Sequence, residues 1–163
     1  MQVDHRKAGV TLIELVTALV VLGILVSLAA PSLRGTIARA QVSAALNQFA
    51  GDMARARMLA VRSGGAVELR FTAASACGTG AFGRPSADRY RIIAYDPAPR
   101  VVETVRVGGP GSGVCLDTNN DSTIVFSSRG LLVPFENRTV STRKGGATSL
   151  ITISVLGRIL RRE

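Results

Sequence analysis

The sequence predicts an α+β protein: one long N-terminal helix, apolar in its first half and amphipathic in its second, packed on antiparallel β-sheets. Three observations carry this prediction. Val10 to Ala30 is an apolar run of 21 residues with a single charge, Glu14. From Ile37 onward, apolar residues recur with the helical period as far as Leu59 or Ala60. After that, only short β-rich stretches occur, separated by glycine-rich turns. A long helix followed by strands alone implies helix-on-sheet layering.

The apolar run comes first. At about 1.5 Å per residue such a helix covers roughly 30 Å, the depth of a hydrocarbon core. Arg6 and Lys7 precede it, which puts residues 1–9 in the cytoplasm and the rest of the chain outside. Glu14 is the anomaly, because a carboxylate among lipid tails is strongly penalised unless a cation meets it. A secretory signal peptide also has a basic start and an apolar stretch, and Ser27-Leu28-Ala29 offers a small-x-small cleavage site. A plain single-pass anchor fits the hydropathy equally well. Neither gives Glu14 a purpose.

Pro31 lacks an N–H and is expected to kink the helix or loosen one turn. The stem then presents Ile37, Ala38, Val42, Ala45, Leu46, Phe49, Met53 and Ala56 on one side. Arg39, Gln48, Asp52, Arg55 and Arg62 take the other faces, and Ser63-Gly64-Gly65 stops the helix. Strands are predicted at 66–71, 90–95, 101–107, 123–127, 149–155 and 158–160, with loops at 73–89 and 108–113. The organisation is a basic leader (1–9), a membrane-spanning helix (10–30), an amphipathic stem (31–63) and a β-rich extracytoplasmic domain (64–163).

Gly9-Val10-Thr11-Leu12-Ile13-Glu14-Leu15 resembles the processing motif of type IV prepilins and type II secretion pseudopilins. Val10 stands where that family usually has phenylalanine. The resemblance implies that a prepilin peptidase cuts between Gly9 and Val10 and methylates the Val10 amino group. It also implies that this new terminus pairs with Glu14 of a neighbouring subunit as the helix passes from the inner membrane into a filament. An ammonium and a carboxylate that meet can both sit in an apolar bundle, whereas either alone is costly. Pro31 matches the family's usual helix proline.

The stretches 53–71, 122–130 and 149–159 resemble the H-type pseudopilin and FimT minor-pilin family (GspH/FimT). Ala54-Arg55 with Ala60, Ile124-x-Phe126-x-x-x-Gly130 and Gly157-Arg158 carry this likeness. It implies a pilin-like fold, with the stem under two β-sheets, and a minor subunit of a pilus or pseudopilus.

Composition narrows the chemistry. The net charge is +9, and all basic residues except Lys7 and Lys144 are arginine, which favours anionic partners. Loss of a 1–9 leader removes Arg6, Lys7 and Asp4 and leaves a side-chain charge of +8. His5 is the single histidine and lies in that leader, so the mature chain has no imidazole for base catalysis or metal binding. Gly78-x-Gly80-x-x-Gly83 is followed by Arg84-Pro85-Ser86, not by an apolar helix, and reads as a loop instead of a dinucleotide site. No enzyme activity and no cofactor are expected.

Three smaller constellations remain. Cys77 and Cys115 have no C-x-x-C partners; either a disulfide or two small buried thiols fits them. Asp117, Asn119 and Asp121 alternate oxygens like the start of a calcium loop, but the central Gly and closing Glu are absent, so a polar turn is the preferred reading and no metal is assigned. Arg143, Lys144, Arg158, Arg161 and Arg162 make the C-terminal end basic. FimT-like minor pilins of some competent bacteria bind DNA through a G-R-x-R segment; here the spacing is Gly157-Arg158-Ile159-Leu160-Arg161-Arg162, one residue longer. Non-specific binding of double-stranded DNA for uptake is therefore an alternative to a solvated basic strand. The sequence reads as a minor pilin or pseudopilin whose partners are the peptidase, other subunits and the membrane. A membrane-anchored periplasmic binding domain of another family is the remaining alternative.

Overall fold

The computed structural model describes residues 10–120 and 122–162, with side chains except at 29–32, 161 and 162. The leader and Gly9 lie outside the described residues. Thr11 starts the helix. Its hydroxyl accepts a hydrogen bond from the Glu14 N–H at 3.3 Å, so Thr11 is the N-cap and Glu14 stands at the third helical position. Helix α1 then runs over Leu12–Ser63, 52 residues, and the helical backbone continues through Pro31. An acid in the first turn and Arg62 in the last both complement the helix dipole. The chain divides into two compact units after Thr36.

In the first unit every described side chain from Val10 to Leu28 is exposed. This apolar helix has no core partner among the described residues of its own unit.

In the second unit Val42, Ala45, Leu46, Phe49, Met53, Ala56 and Ala60 of α1 are all buried. Their spacing of three, one, three, four, three and four residues traces one helical face. Ile37 was expected on that face but is 55% exposed, because burial begins only at Val42. At the far end Ala60 is buried and Leu59 packs at the core's edge.

Nine strands follow: β1 (Ala66–Ala73), β2 (Ala87–Tyr95), β3 (Pro99–Arg106), β4 (Cys115–Thr118), β5 (Thr123–Phe126), β6 (Leu132–Val133), β7 (Arg138–Lys144), β8 (Ala147–Ile153) and β9 (Ile159–Arg162). All pairings are antiparallel, in the order β6-β5-β1-β2-β4-β7-β8-β9, with β3 also on β2. The two sheets implied by the family likeness are thus two halves of one sheet. Arg89 to Tyr95 of β2 pair with β3, and Ala87 alone reaches Leu116 of β4.

The core is what the alternation of β1 and β2 dictates. Val67, Leu69 and Phe71, with Tyr90, Ile92 and Ala94, turn inward and are buried with the helix face. Phe49 meets the Tyr90 ring edge-on at 5.3 Å and Phe71 at 5.9 Å. The Tyr90 hydroxyl donates to Asp52 of α1 at 2.5 Å, a polar tie across the helix–sheet interface. Burial, then the Asp52 carboxylate, pushes the Tyr90 phenol far above its ordinary pKa, so it stays a donor. The strands at β4, β6 and β7 fall where no strand was predicted. In β7, Arg-Thr-Val-Ser-Thr-Arg-Lys reads as polar, yet Arg138, Val140, Ser141 and Thr142 are buried between β4 and β8.

Candidate functional site

At the N-terminal end, Val10 and Glu14 are exposed, and Glu14 faces outward from the first turn of α1. Its own carbonyl accepts a 2.9 Å bond from the Thr17 hydroxyl. The Pro31 side chain lies outside the described residues. No single described helix is long and apolar enough to cross a membrane; Leu12–Leu28 and Leu33–Ser63 pass that test together, by length and composition. The T-x-x-E spacing of Thr11 and Glu14 is the sequence signal for this cap.

In the domain, Cys77 and Cys115 form a disulfide with Cα atoms 5.6 Å apart. It belongs to a wider fastening of the 74–86 loop. Asp117 accepts from the Phe82 N–H at 2.9 Å and from the Thr118 N–H at 2.8 Å. Gly80 passes so close to Asp117 that a Cβ there would lie 2.0 Å from its carboxylate. That approach and the turn from Gly80 to Arg84 account for the glycine pattern at 78–83 without any nucleotide. Arg143 donates to the Cys77 and Thr79 carbonyls, both at 2.6 Å.

Two members of the calcium-like run, Asp117 and Asn119, already accept hydrogen bonds within the domain. Asp117 holds the loop, and the Asn119 side-chain oxygen accepts from the Thr139 N–H at 2.9 Å. Asp121 lies outside the described residues. Among the described residues no group of three or more His, Cys, Asp or Glu side chains could hold a metal.

Among the described side chains, Arg143 and Lys144 lie apart from Arg158. Lys144 donates to Gln41 at 2.6 Å and to the Ser112 carbonyl, so it, like Arg143, fastens parts of the domain to one another. Both lie at the end of β7 that turns into β8, whereas Arg158 precedes Ile159, which pairs with Ile153 and so with the Arg138 end of β7. Arg158 is exposed, and its N–H donates to the Ser154 hydroxyl at 3.1 Å. Backbone register sets Arg161 opposite Ile151 and Arg162 opposite Leu150; their side chains lie outside the described ones.

A different group of arginines escaped the sequence reading. Arg70, Arg89, Arg91 and Arg106 are neighbours on the exposed face of β1, β2 and β3. Beside them Glu68 is buried under Arg70 and Tyr95, which donate to it at 2.7 and 2.6 Å. Burial alone would raise the Glu68 pKa, but these hydrogen bonds and the charges of Arg70 and Arg91 hold it below its ordinary value. The alternation Arg89-x-Arg91 was the available signal. Only strand register shows that Arg70 and Arg106 join it.

Comparison with known proteins adds the following. A model of the family described as type II transport protein GspH matches residues 45–157. A model of the prokaryotic N-terminal methylation motif matches residues 4–30. Pilin-like protein PilA1 of Thermus thermophilus is 31% identical over 156 residues, covering 93% of this chain and 96% of that one. Among solved structures, the type IV minor pilin FimU of Pseudomonas aeruginosa aligns with a TM-score of 0.58 at 17% identity, over 77% of this chain and 90% of FimU. The minor pseudopilin EpsH from the type II secretion system of Vibrio cholerae aligns with a TM-score of 0.53 at 14% identity, over 75% of this chain and 96% of EpsH. These last two likenesses concern the fold.

Proposed function

The chain belongs to the GspH family of type II transport proteins, and as a minor pilin or pseudopilin of that family we propose that it is cut after Gly9, methylated on Val10 and assembled through α1 into a pilus or pseudopilus. The methylation motif at residues 4–30 carries this reading. The exposed apolar surface of Val10–Leu28, interrupted by the single acid Glu14, supports it. Before assembly the helix sits in the inner membrane with the β domain outside, where a Cys77–Cys115 disulfide can persist. In the filament, helix surfaces of neighbouring subunits replace lipid. The Val10 ammonium of one subunit then neutralises Glu14 of another.

Intact-mass and N-terminal analysis of the protein from its own host tests processing. The expected N-terminus is N-methylated Val10; a start at Ala29 or Ala30, or an uncut Met1, sinks the assembly reading.

Glu14→Gln tests the pairing separately. Membrane insertion should hold or improve, since a charge leaves the hydrocarbon. Incorporation into filaments, measured by immunoblot of sheared or purified fibres, should fall at least tenfold. Thr11→Ala is the control, because it removes the helix cap without touching the carboxylate. If Thr11→Ala causes the same loss as Glu14→Gln, the glutamate serves the helix end and not a neighbour's ammonium.

A further inference from the structure

We propose that the solvent side of the last turns of α1, around Met58 and Val61, docks an acidic segment of a different subunit, one that seats an apolar side chain between carboxylates; this presupposes the assembly reading above. Met53, Ala56 and Ala60 turn into the core, so Ala54, Met58 and Val61 point away from it. A solvent-facing helix stripe is ordinarily polar, yet Met58 is 67% and Val61 55% exposed. Together with Leu59, Val102 of β3 and Gly157 they line a hollow of about 720 Å³. Leu156, the residue before Gly157, is exposed as well. Single exposed apolar side chains mean little, but a set gathered round one hollow marks an interaction site.

Arginines frame this hollow. Arg55, Arg57 and Arg62 are part of its lining. Arg55 is spent on Glu103 of β3, at 2.7 Å. Among the described residues no acid lies within ion-pair distance of Arg57 or Arg62. Arg57 is nonetheless held in place. A Cβ on Gly130 would lie 3.1 Å from its Nε, and one on Gly157 would lie 3.0 Å from its Cδ and 3.3 Å from its Nη1. The side chain therefore runs past two bare turns, half-buried. A carboxylate that meets this guanidinium does not have to order a long, free side chain first, and the planar fork suits a paired hydrogen bond.

The surroundings select the partner. An apolar centre bordered by arginine is the anatomy of a protein interface, where Met and Arg are enriched and Arg often dominates the affinity. Charge complementarity then asks for acids on the other side. Arg129 and Arg158, the exposed neighbours of Gly130 and Gly157 in sequence, strengthen that demand. A second copy of this chain answers it poorly. In a two-fold contact the same patch meets itself, so Arg57 and Arg62 would face like charges, which weakens association.

The test is photo-cross-linking of the full chain in its own host. Met58→p-benzoylphenylalanine probes the hollow, and Val16→p-benzoylphenylalanine, in the exposed apolar part of α1, reports assembly by itself. Irradiation should join position 58 to one other subunit, and the joined peptide, read by mass spectrometry, should carry Asp or Glu on both sides of the joined residue. Adding Arg57→Glu with Arg62→Glu should lower the yield at least about tenfold, and exchanging the partner's acids for arginine should restore it. Because Arg57 also packs on two turns, Arg62→Glu alone is the second variant. It should lower the yield about threefold, respond to the same exchange, and leave the thermal midpoint of the purified chain unchanged. Cross-linking of position 58 to a second copy of this chain or to lipid overturns the proposal. So does a yield that both charge reversals leave unaltered, a loss that the exchange does not restore, or a cross-link from position 16 without one from position 58. Absence of cross-links from both positions overturns the assembly reading, and this docking with it.

Discussion

Phe49→Ala should remove about 3–5 kcal/mol of folding stability, the usual cost of truncating a buried aromatic side chain. Phe49 is 1% exposed and sits where the stem meets both central strands, with Tyr90 edge-on and Phe71 tilted against it. Each such ring pair adds about 0.5–1.5 kcal/mol beyond buried area. The cavity cannot close cheaply. Tyr90 is held by its bond to Asp52, and Leu46 and Met53 are fixed on the same helix face. A domain of this kind has about 5–15 kcal/mol in total, so the variant should be partly unfolded well below the wild-type midpoint. Urea unfolding followed by circular dichroism measures the difference. Phe49→Leu, which leaves a smaller void, should lose less than half as much. A loss below about 1 kcal/mol for the alanine variant would mean that this helix face does not close the core.

Replacing Cys77 and Cys115 together with serine should cost about 3–4 kcal/mol, since the bridge spans 38 residues of sequence and the unfolded chain loses that closure. For a domain of this size the thermal midpoint should drop by roughly 10–15 °C. The fold should survive the change. Asp117 still binds the Phe82 N–H, and Arg143 still binds the Cys77 and Thr79 carbonyls, so the 74–86 loop keeps its non-covalent fastenings. Adding Arg143→Gln to the serine pair should therefore cost more than the sum of the two changes made separately. Simple additivity, seen in differential scanning measurements on the four proteins of the cycle, would show that the guanidinium and the bridge act on separate parts of the domain.

What the sequence disclosed depended on how local the signal was. The stem was legible because Val42 to Ala60 repeat the helical period over several turns, and the N-terminal motif because its residues are consecutive. The β1–β2 core was legible from the alternation Val67-Glu68-Leu69-Arg70-Phe71 and from the β-branched and aromatic residues of 90–95. Strand β7 was not, because its burial comes from neighbours on both sides and its sequence is polar. The union of the sheet halves rests on one pairing, Ala87 with Leu116, across 29 residues of chain. The C-terminal basic set was assembled by proximity in sequence. Arg143 and Lys144 instead find carbonyl and amide oxygens contributed by segments far away in the chain. The arginines that do share a surface come from three strands, so no linear scan brings Arg70 beside Arg91 or Arg89 beside Arg106.

The joint between the sheet halves has a mechanical consequence. Along the covalent chain, α1 leads directly into the half that contains β1, while its contact with the other half is non-covalent, as between Gln41 and Lys144 of β7. Within the sheet the two halves meet at the Ala87–Leu116 pairing, and outside it the Leu132 N–H donates to the Val155 carbonyl at 3.0 Å. Cys115 is the residue next to Leu116, so the covalent bridge to Cys77 stands beside that seam and carries force in parallel with it. The disulfide is thus a covalent cross-link between the two halves, set beside contacts that are otherwise hydrogen bonds and core packing.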